Sequence, residues 1–80
     1  MRILNSDFDA AIKNVILYLK PEEAKELYDS LDVLLKNNNF SEHIHVNDVD
    51  FEHEVTVLLY DEKQMDSLSE RSKKIIIEDL

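Results

Sequence analysis

Residues 42–60, EHIHVNDVDFEHEVTVLLY, decide the fold: two runs of alternating side chains flank a polar turn at Asn47-Asp48-Val49-Asp50 and read as one β-hairpin. Neighbouring residues on a strand point to opposite faces, so a one-residue slip would exchange the two faces completely. With Val46 opposite His53, one face carries Ile44, Val46, Val55, Val57 and Leu59. The other carries His43, His45, Asn47, Glu52, Glu54, Thr56, Leu58 and Tyr60. The first set is a core face, and parity adds His53 to it near the turn, as a partly buried histidine with a hydrogen-bond partner. The turn has no glycine, so a positive-φ position would fall to Asn47, Asp48 or Asp50, the side chains that tolerate it best.

Upstream of the hairpin, residues 21–36 carry Ala24, Leu27, Tyr28, Leu31, Leu34 and Leu35 at three-and-four spacing, which predicts a helix with those residues inward. Glu22 and Glu23 suit its positive end and Lys36 its negative end, and Asn37-Asn38-Asn39 replaces the usual glycine as a stop. Glu22, Glu26, Asp29 and Asp32 form a solvated face. Before the helix, Val15, Ile16, Leu17, Tyr18 and Leu19 make a continuous β-branched and aromatic run. It reads as a strand over residues 12–19 in preference to a short helix capped by Ser6. Pro21 marks the boundary, because the residue before a proline is pushed out of helical geometry while proline itself suits a first helical turn. Residues 1–5 are a short apolar start able to add an edge strand, and residues 6–11 a polar connection anchored by Phe8.

Downstream, residues 61–66 are a polar connection, and Ser67-Leu68-Ser69-Glu70 matches a capping box opening a helix to about Asp79. Its inner face would hold Leu68, Ser72, Ile75, Ile76 and Leu80. The expected fold is therefore α+β with the order β-α-β-β-α: a three-stranded antiparallel sheet, four-stranded if residues 1–5 join, with two helices on one face. The last strand of the hairpin is apolar on both faces and is placed centrally.

The chain has 80 residues, which reads as a single domain, residues 1–80, with little stability to spare. It opens on Met1 without a signal sequence, an apolar run of spanning length or a lipidation motif, and it has no cysteine. The expectation is a soluble, cytoplasmic protein in a reducing compartment. A net charge of −9 repels phosphate backbones and anionic membranes, so neither nucleic acid nor membrane is expected as a partner. With no glycine anywhere, phosphate-cradling loops, dinucleotide-binding turns and the nucleophile elbow are excluded in their usual form.

Two features bear on function. The outer sheet face would carry Ile16, Tyr18, Leu58 and Tyr60, more apolar surface than a small monomer usually leaves open, and this is the expected interaction surface. It fits a homodimer or another protein, such as the target of an inhibitor or immunity protein. On the same face His43 and His45 project together with Glu54 across from His45, the one constellation able to hold zinc or a similar divalent metal. The same imidazoles beside carboxylates could instead titrate and link association to mild acidity. No cofactor is otherwise implied. Ser67, Ser69 and Ser72 read as cap and helix-surface residues, and no nucleophile, base and oxyanion-stabilising loop come together, so no catalytic residue is assigned.

The run LKPEEAKELYDSLDVLL at residues 19–35, HIHV at 43–46 and HEVTVLLYD at 53–61 resemble small bacterial proteins of uncharacterised function. Those proteins share an EEA-x-EL helix, a short HxHV strand and an E-[VI]-T-V strand. The resemblance implies the same segment order and a bacterial origin, and carries no activity with it. The functional expectation is thus a non-enzymatic, acidic domain acting by protein–protein contact; the alternative is a metal-binding protein or small metalloenzyme using His43, His45 and Glu54.

Overall fold

The computed structural model describes residues 1–37, 42–66 and 68–80. Its elements are β1 (Leu4–Asn5), β2 (Ala10–Ala11), α1 (Pro21–Asn37), β3 (His43–Asn47), β4 (Glu54–Leu58) and α2 (Glu70–Glu78). The class is α+β, with two antiparallel pairs, β1 with β2 and β3 with β4. The chain groups into two compact units, one of Met1–Leu17 with Met65–Leu80 and one of Tyr18–Gln64.

In the second unit, α1 begins where the proline requires. The Lys20 carbonyl accepts from the Ala24 N–H at 2.9 Å, and the Glu23 carboxylate reaches back to the Lys20 N–H at 2.8 Å, the return half of a capping box. Lys25–Asp29 and Lys36–Asp32 pair one turn apart on the solvated side. The helix packs against β3, with Leu34 buried and Leu27, Ser30 and Leu31 half-buried. Its inner stripe is narrower than the spacing predicts. Ala24, Tyr28 and Leu35 are exposed, because a two-stranded sheet is too narrow to cover a helix face six residues wide. The stop at Asn38-Asn39 lies outside the described residues.

The β3–β4 register is His43↔Leu58, Ile44↔Val57, His45↔Thr56, Val46↔Val55 and Asn47↔Glu54. Val46 therefore faces Val55 and not His53, a correction of two residues that leaves both faces as parity assigns them. The reason lies in the turn. The expected register would need a two-residue loop at Val49-Asp50, whose tight forms demand positive φ at the first central position, which β-branched Val49 resists. The chain instead closes a four-residue loop: the Phe51 N–H donates to the Asp48 carbonyl at 3.1 Å, and Phe51, not Asn47, Asp48 or Asp50, takes the left-handed conformation at φ 56°. His53 thereby falls outside the strand, with its side chain 81% exposed, so its expected place on the core face is also corrected. β4 ends at Leu58, short of Tyr60, and has β3 as its one strand neighbour among the described residues, so it is not a central strand. Val46 is buried and Ile44, Val55, Val57 and Leu59 are half-buried, which makes this the core face.

Residues 12–19 form neither the expected strand nor a helix. Their β-branched side chains and the following proline favour extended backbone, but a strand also needs a hydrogen-bonded neighbour, and beyond Ile12, whose N–H donates to the Ile3 carbonyl at 2.9 Å, none among the described residues pairs with them. The three-stranded sheet is accordingly replaced by two separate pairs. The N-terminal residues do supply a strand, though it pairs locally with Ala10–Ala11. The Asn5 side chain accepts from the Asp7 N–H at 3.0 Å, the Asn5 carbonyl from the Phe8 N–H at 3.3 Å, and Asp9 turns the chain at φ 51°. Phe8 sits at the tip of this turn, 80% exposed, and anchors nothing.

In the same unit α2 starts at Glu70 with Ser69 as its cap, the Ser69 hydroxyl accepting from the Ser72 N–H at 3.2 Å. The expected box thus moves by two residues, and Ser67 lies outside the described residues. Ile75 is buried, Leu68, Ser72 and Ile76 are half-buried, and Leu80 is exposed, contrary to its expected inner position. The helix ends at Asp79 in the left-handed conformation, whose N–H donates to the Ile75 carbonyl at 2.9 Å. Both ends are tied to the N-terminal segment: Arg71 to Asp9 at 3.1 Å, Arg2 to the Ile76 carbonyl at 3.1 Å, and Lys13 to the Asp79 carboxylate. Lys13 and, more weakly, Arg2 hold the Asp79 carboxyl below its ordinary value of 3.8 against the opposing effect of burial.

Candidate functional site

The hairpin places His43, His45, Glu54 and Thr56 on one face, as alternation requires. His45 Nδ1 lies 2.6 Å from Glu54 Oε1 and 2.9 Å from Thr56 Oγ1. Glu54 reaches His45 diagonally, its direct cross-strand neighbour being Asn47. The His43 and His45 rings meet edge to face with centroids 4.6 Å apart. Nδ1 is thus the ring nitrogen that meets both partners. Thr56 meets the same nitrogen as Glu54, so its hydroxyl is not placed for proton removal by Nε2. Of the three side chains with metal-ligand chemistry, the structure joins His45 with Glu54 and sets His43 against the ring of His45. Among the described residues no group of three or more His, Asp or Glu side chains is assembled to hold a metal ion.

A tighter polar cluster sits in the turn, where the sequence implies a positive-φ residue and a hydrogen-bonded His53 without naming its partner. Asp48 Oδ1 accepts from the N–H groups of Glu52 at 2.8 Å and His53 at 3.2 Å, and Oδ2 lies 2.6 Å from His53 Nδ1. The hydrogen bond from His53, then its backbone N–H, lowers the Asp48 pKa from 3.8. The same side-chain bond, followed by the carboxylate's charge, raises that of His53 above 6.5. An Asp at a hairpin's start was the available signal, since its side chain bonds backbone N–H groups further along. The cluster closes the loop of the hairpin.

Of the expected interaction residues, Ile16 is 75% and Tyr18 90% exposed, Leu58 is 37% exposed and Tyr60 half-buried. Neither Ile16 nor Tyr18 lies in a strand, so the four do not share one sheet face. Large apolar side chains are exposed at several places, among them Phe8, Val49 and Phe51, and residues 15–19 are a run of five in sequence: Val15 at 52%, Ile16, Leu17 at 46%, Tyr18 and Leu19 at 39%. An open groove of about 310 Å³ lies beside α2, floored by Leu4, Ile75 and Leu80, with Arg71 at its rim already engaged by Asp9. No helix among the described residues is long and apolar enough to cross a membrane. Comparison of the chain with family models, with curated proteins and with solved structures finds no match.

Proposed function

We propose that this protein is a non-enzymatic domain that works by protein–protein contact, and that the apolar run at residues 15–19 is its contact surface. One observation carries the reading: five consecutive large apolar side chains stand exposed on backbone that is in neither helix nor strand and has no hydrogen-bonded strand neighbour among the described residues. An apolar segment with unpaired backbone groups can be ordered by a partner, its main chain supplying hydrogen bonds and its side chains specificity. Single exposed hydrophobics are ordinary on a protein surface, whereas a contiguous run of them marks an interaction site. Leu58 and Tyr60 contribute less than the sequence implies, being partly covered already.

The hairpin's histidine face supports no catalytic reading of equal weight, because the one hydroxyl beside His45 meets the nitrogen that Glu54 occupies. The test is a photo-crosslinking phenylalanine analogue in place of Tyr18, irradiated in cells. The expected result is a covalent adduct between this chain and a protein at that position. Irradiation that leaves a folded variant entirely unlinked overturns the reading.

A further inference from the structure

We infer that the unit of Met1–Leu17 with Met65–Leu80 pairs with the same unit of a second copy, each copy seating its Phe8 ring in the groove beside α2 of the other across a twofold axis. The inference is independent of the contact at residues 15–19 and starts from the β1–β2 turn. Phe8 is 80% exposed at the tip of that turn, and the tip is braced on both sides. The Asn5 side chain accepts from the Asp7 N–H, the Asn5 carbonyl accepts from the Phe8 N–H, and Asp9, at φ 51°, is tied to Arg71 at 3.1 Å. An aromatic ring carried on a turn already held in place has little backbone freedom left to lose on binding, which is what an interface anchor requires.

The receptacle lies on the same unit. Leu4, Ile75 and Leu80 floor a groove of about 310 Å³. An apolar cavity of about 150 Å³ suffices for benzene, so a phenyl ring fits with room for its flanking backbone. Asp9 lines the groove, which sets Phe8 one residue from its edge. With knob and groove side by side, the twofold axis that brings one Phe8 to the second copy's groove brings the other Phe8 back, and the pair closes. Charge selects the same occupant. On the rim Asp9 is paired with Arg71, and Glu70 lies 3.6 Å from Lys73, so Lys74 is the cation left without an ion pair among the described residues. Asp7, next to Phe8, also has no ion pair among the described residues, and in the exchanged pair it meets Lys74 of the other copy. The five Lys and Arg and six Asp and Glu of this unit leave it a charge of −1, while the four and twelve of the other unit leave −8. Two copies therefore meet here almost without repulsion, whereas a basic partner drawn by charge would go to the other unit.

Two rings in two grooves bury less than a standard interface, so the dimer is expected to be weak, with a dissociation constant of about 0.01–1 mM. Sedimentation equilibrium of the full chain up to ~1 mM should show a reversible monomer–dimer equilibrium. Phe8→Ala takes both rings out of the dimer and should weaken association ~100-fold or more, and because the position is exposed the variant should keep the wild-type far-UV circular dichroism. Asp7→Lys and Lys74→Glu should each weaken association several-fold, and the double variant, which restores the pair with its signs reversed, should recover most of the loss. In a sample mixing labelled and unlabelled chains, Phe8 ring protons of one copy should show contacts with the Ile75 and Leu80 methyls of the other by isotope-filtered NMR. A chain still monomeric at ~1 mM, a dimer as tight in Phe8→Ala as in the wild type, or a double charge variant no tighter than either single one overturns the exchange. A dimer lost in Tyr18→Asp and kept in Phe8→Ala also overturns it, and assigns self-association to residues 15–19 instead; the reading of that run is judged separately, by the crosslinker at Tyr18.

Discussion

Leu34 and Leu35 are neighbours of the same residue type on α1, yet one is 2% and the other 65% exposed. Truncating Leu34 to alanine removes three buried carbons at roughly 0.8 kcal/mol each, and the cavity left behind brings the cost into the range of about 2–5 kcal/mol. A chain of this length has only about 4–12 kcal/mol of stability in total. At about 4–8 °C per kcal/mol for a domain of this size, Leu34→Ala should lower the melting midpoint by about 10 °C or more. Leu35→Ala, on the solvent side, should stay within about 0.5 kcal/mol of wild type, helped by alanine's higher helix propensity. Urea and thermal unfolding of both variants, followed by far-UV circular dichroism, measures the contrast. Equal losses would refute the rotation assigned to α1 on β3, because the periodicity alone puts both leucines inside.

Asp48→Asn should loosen the hairpin turn and flatten its pH dependence. With its pKa raised, His53 contributes stability that is complete below about 6.5 and lost as pH rises through the folded value; Asp48, with its pKa lowered, contributes above about 3.8 and loses it on acidification. The turn is thus firmest between those limits, and an NMR titration should show the His53 midpoint falling toward its ordinary value in the variant; an unmoved midpoint would contradict the cluster. Phe51 holds a left-handed conformation that costs a bulky residue roughly 1–2 kcal/mol, and at 78% exposure it packs against little. Phe51→Asn should therefore raise the melting temperature, and a destabilised variant would show that the ring makes a contact worth more than the strain.

The parts of the fold legible in the sequence are those set by local periodicity. Alternation placed Ile44, Val46, Val55 and Val57 on the covered face, and this survives a register error because the error is an even number of residues. Pro21 and the spacing of Leu27, Leu31 and Leu34 located α1 and its inner stripe. The register itself depends on the loop, and there a missing glycine and a β-branched Val49 outweigh the simplest hairpin. For residues 15–19, propensity specifies an extended backbone but carries no information about a neighbour to pair with. In the candidate site, the faces brought His45 and Glu54 together, although by a diagonal contact and not a direct one. For His53 the sequence implied a hydrogen-bond partner but placed the ring on the core face and did not name Asp48, because alternation was extended one residue past the strand, into the turn.

The unit containing α2 is built from the two ends of the chain. Arg2 reaches the Ile76 carbonyl across 74 positions, Lys13 meets Asp79 across 66, and Arg71 meets Asp9 across 62. The hairpin of β3 and β4 and the helix before it join residues close in sequence, so they can assemble as soon as that stretch has left the ribosome. The terminal unit has to wait for its last fifteen or so residues, and throughout that interval β1 and β2 have no helix to meet. Loop closure over such distances adds only about 0.6 kcal/mol for each doubling of length, so the delay costs time more than stability.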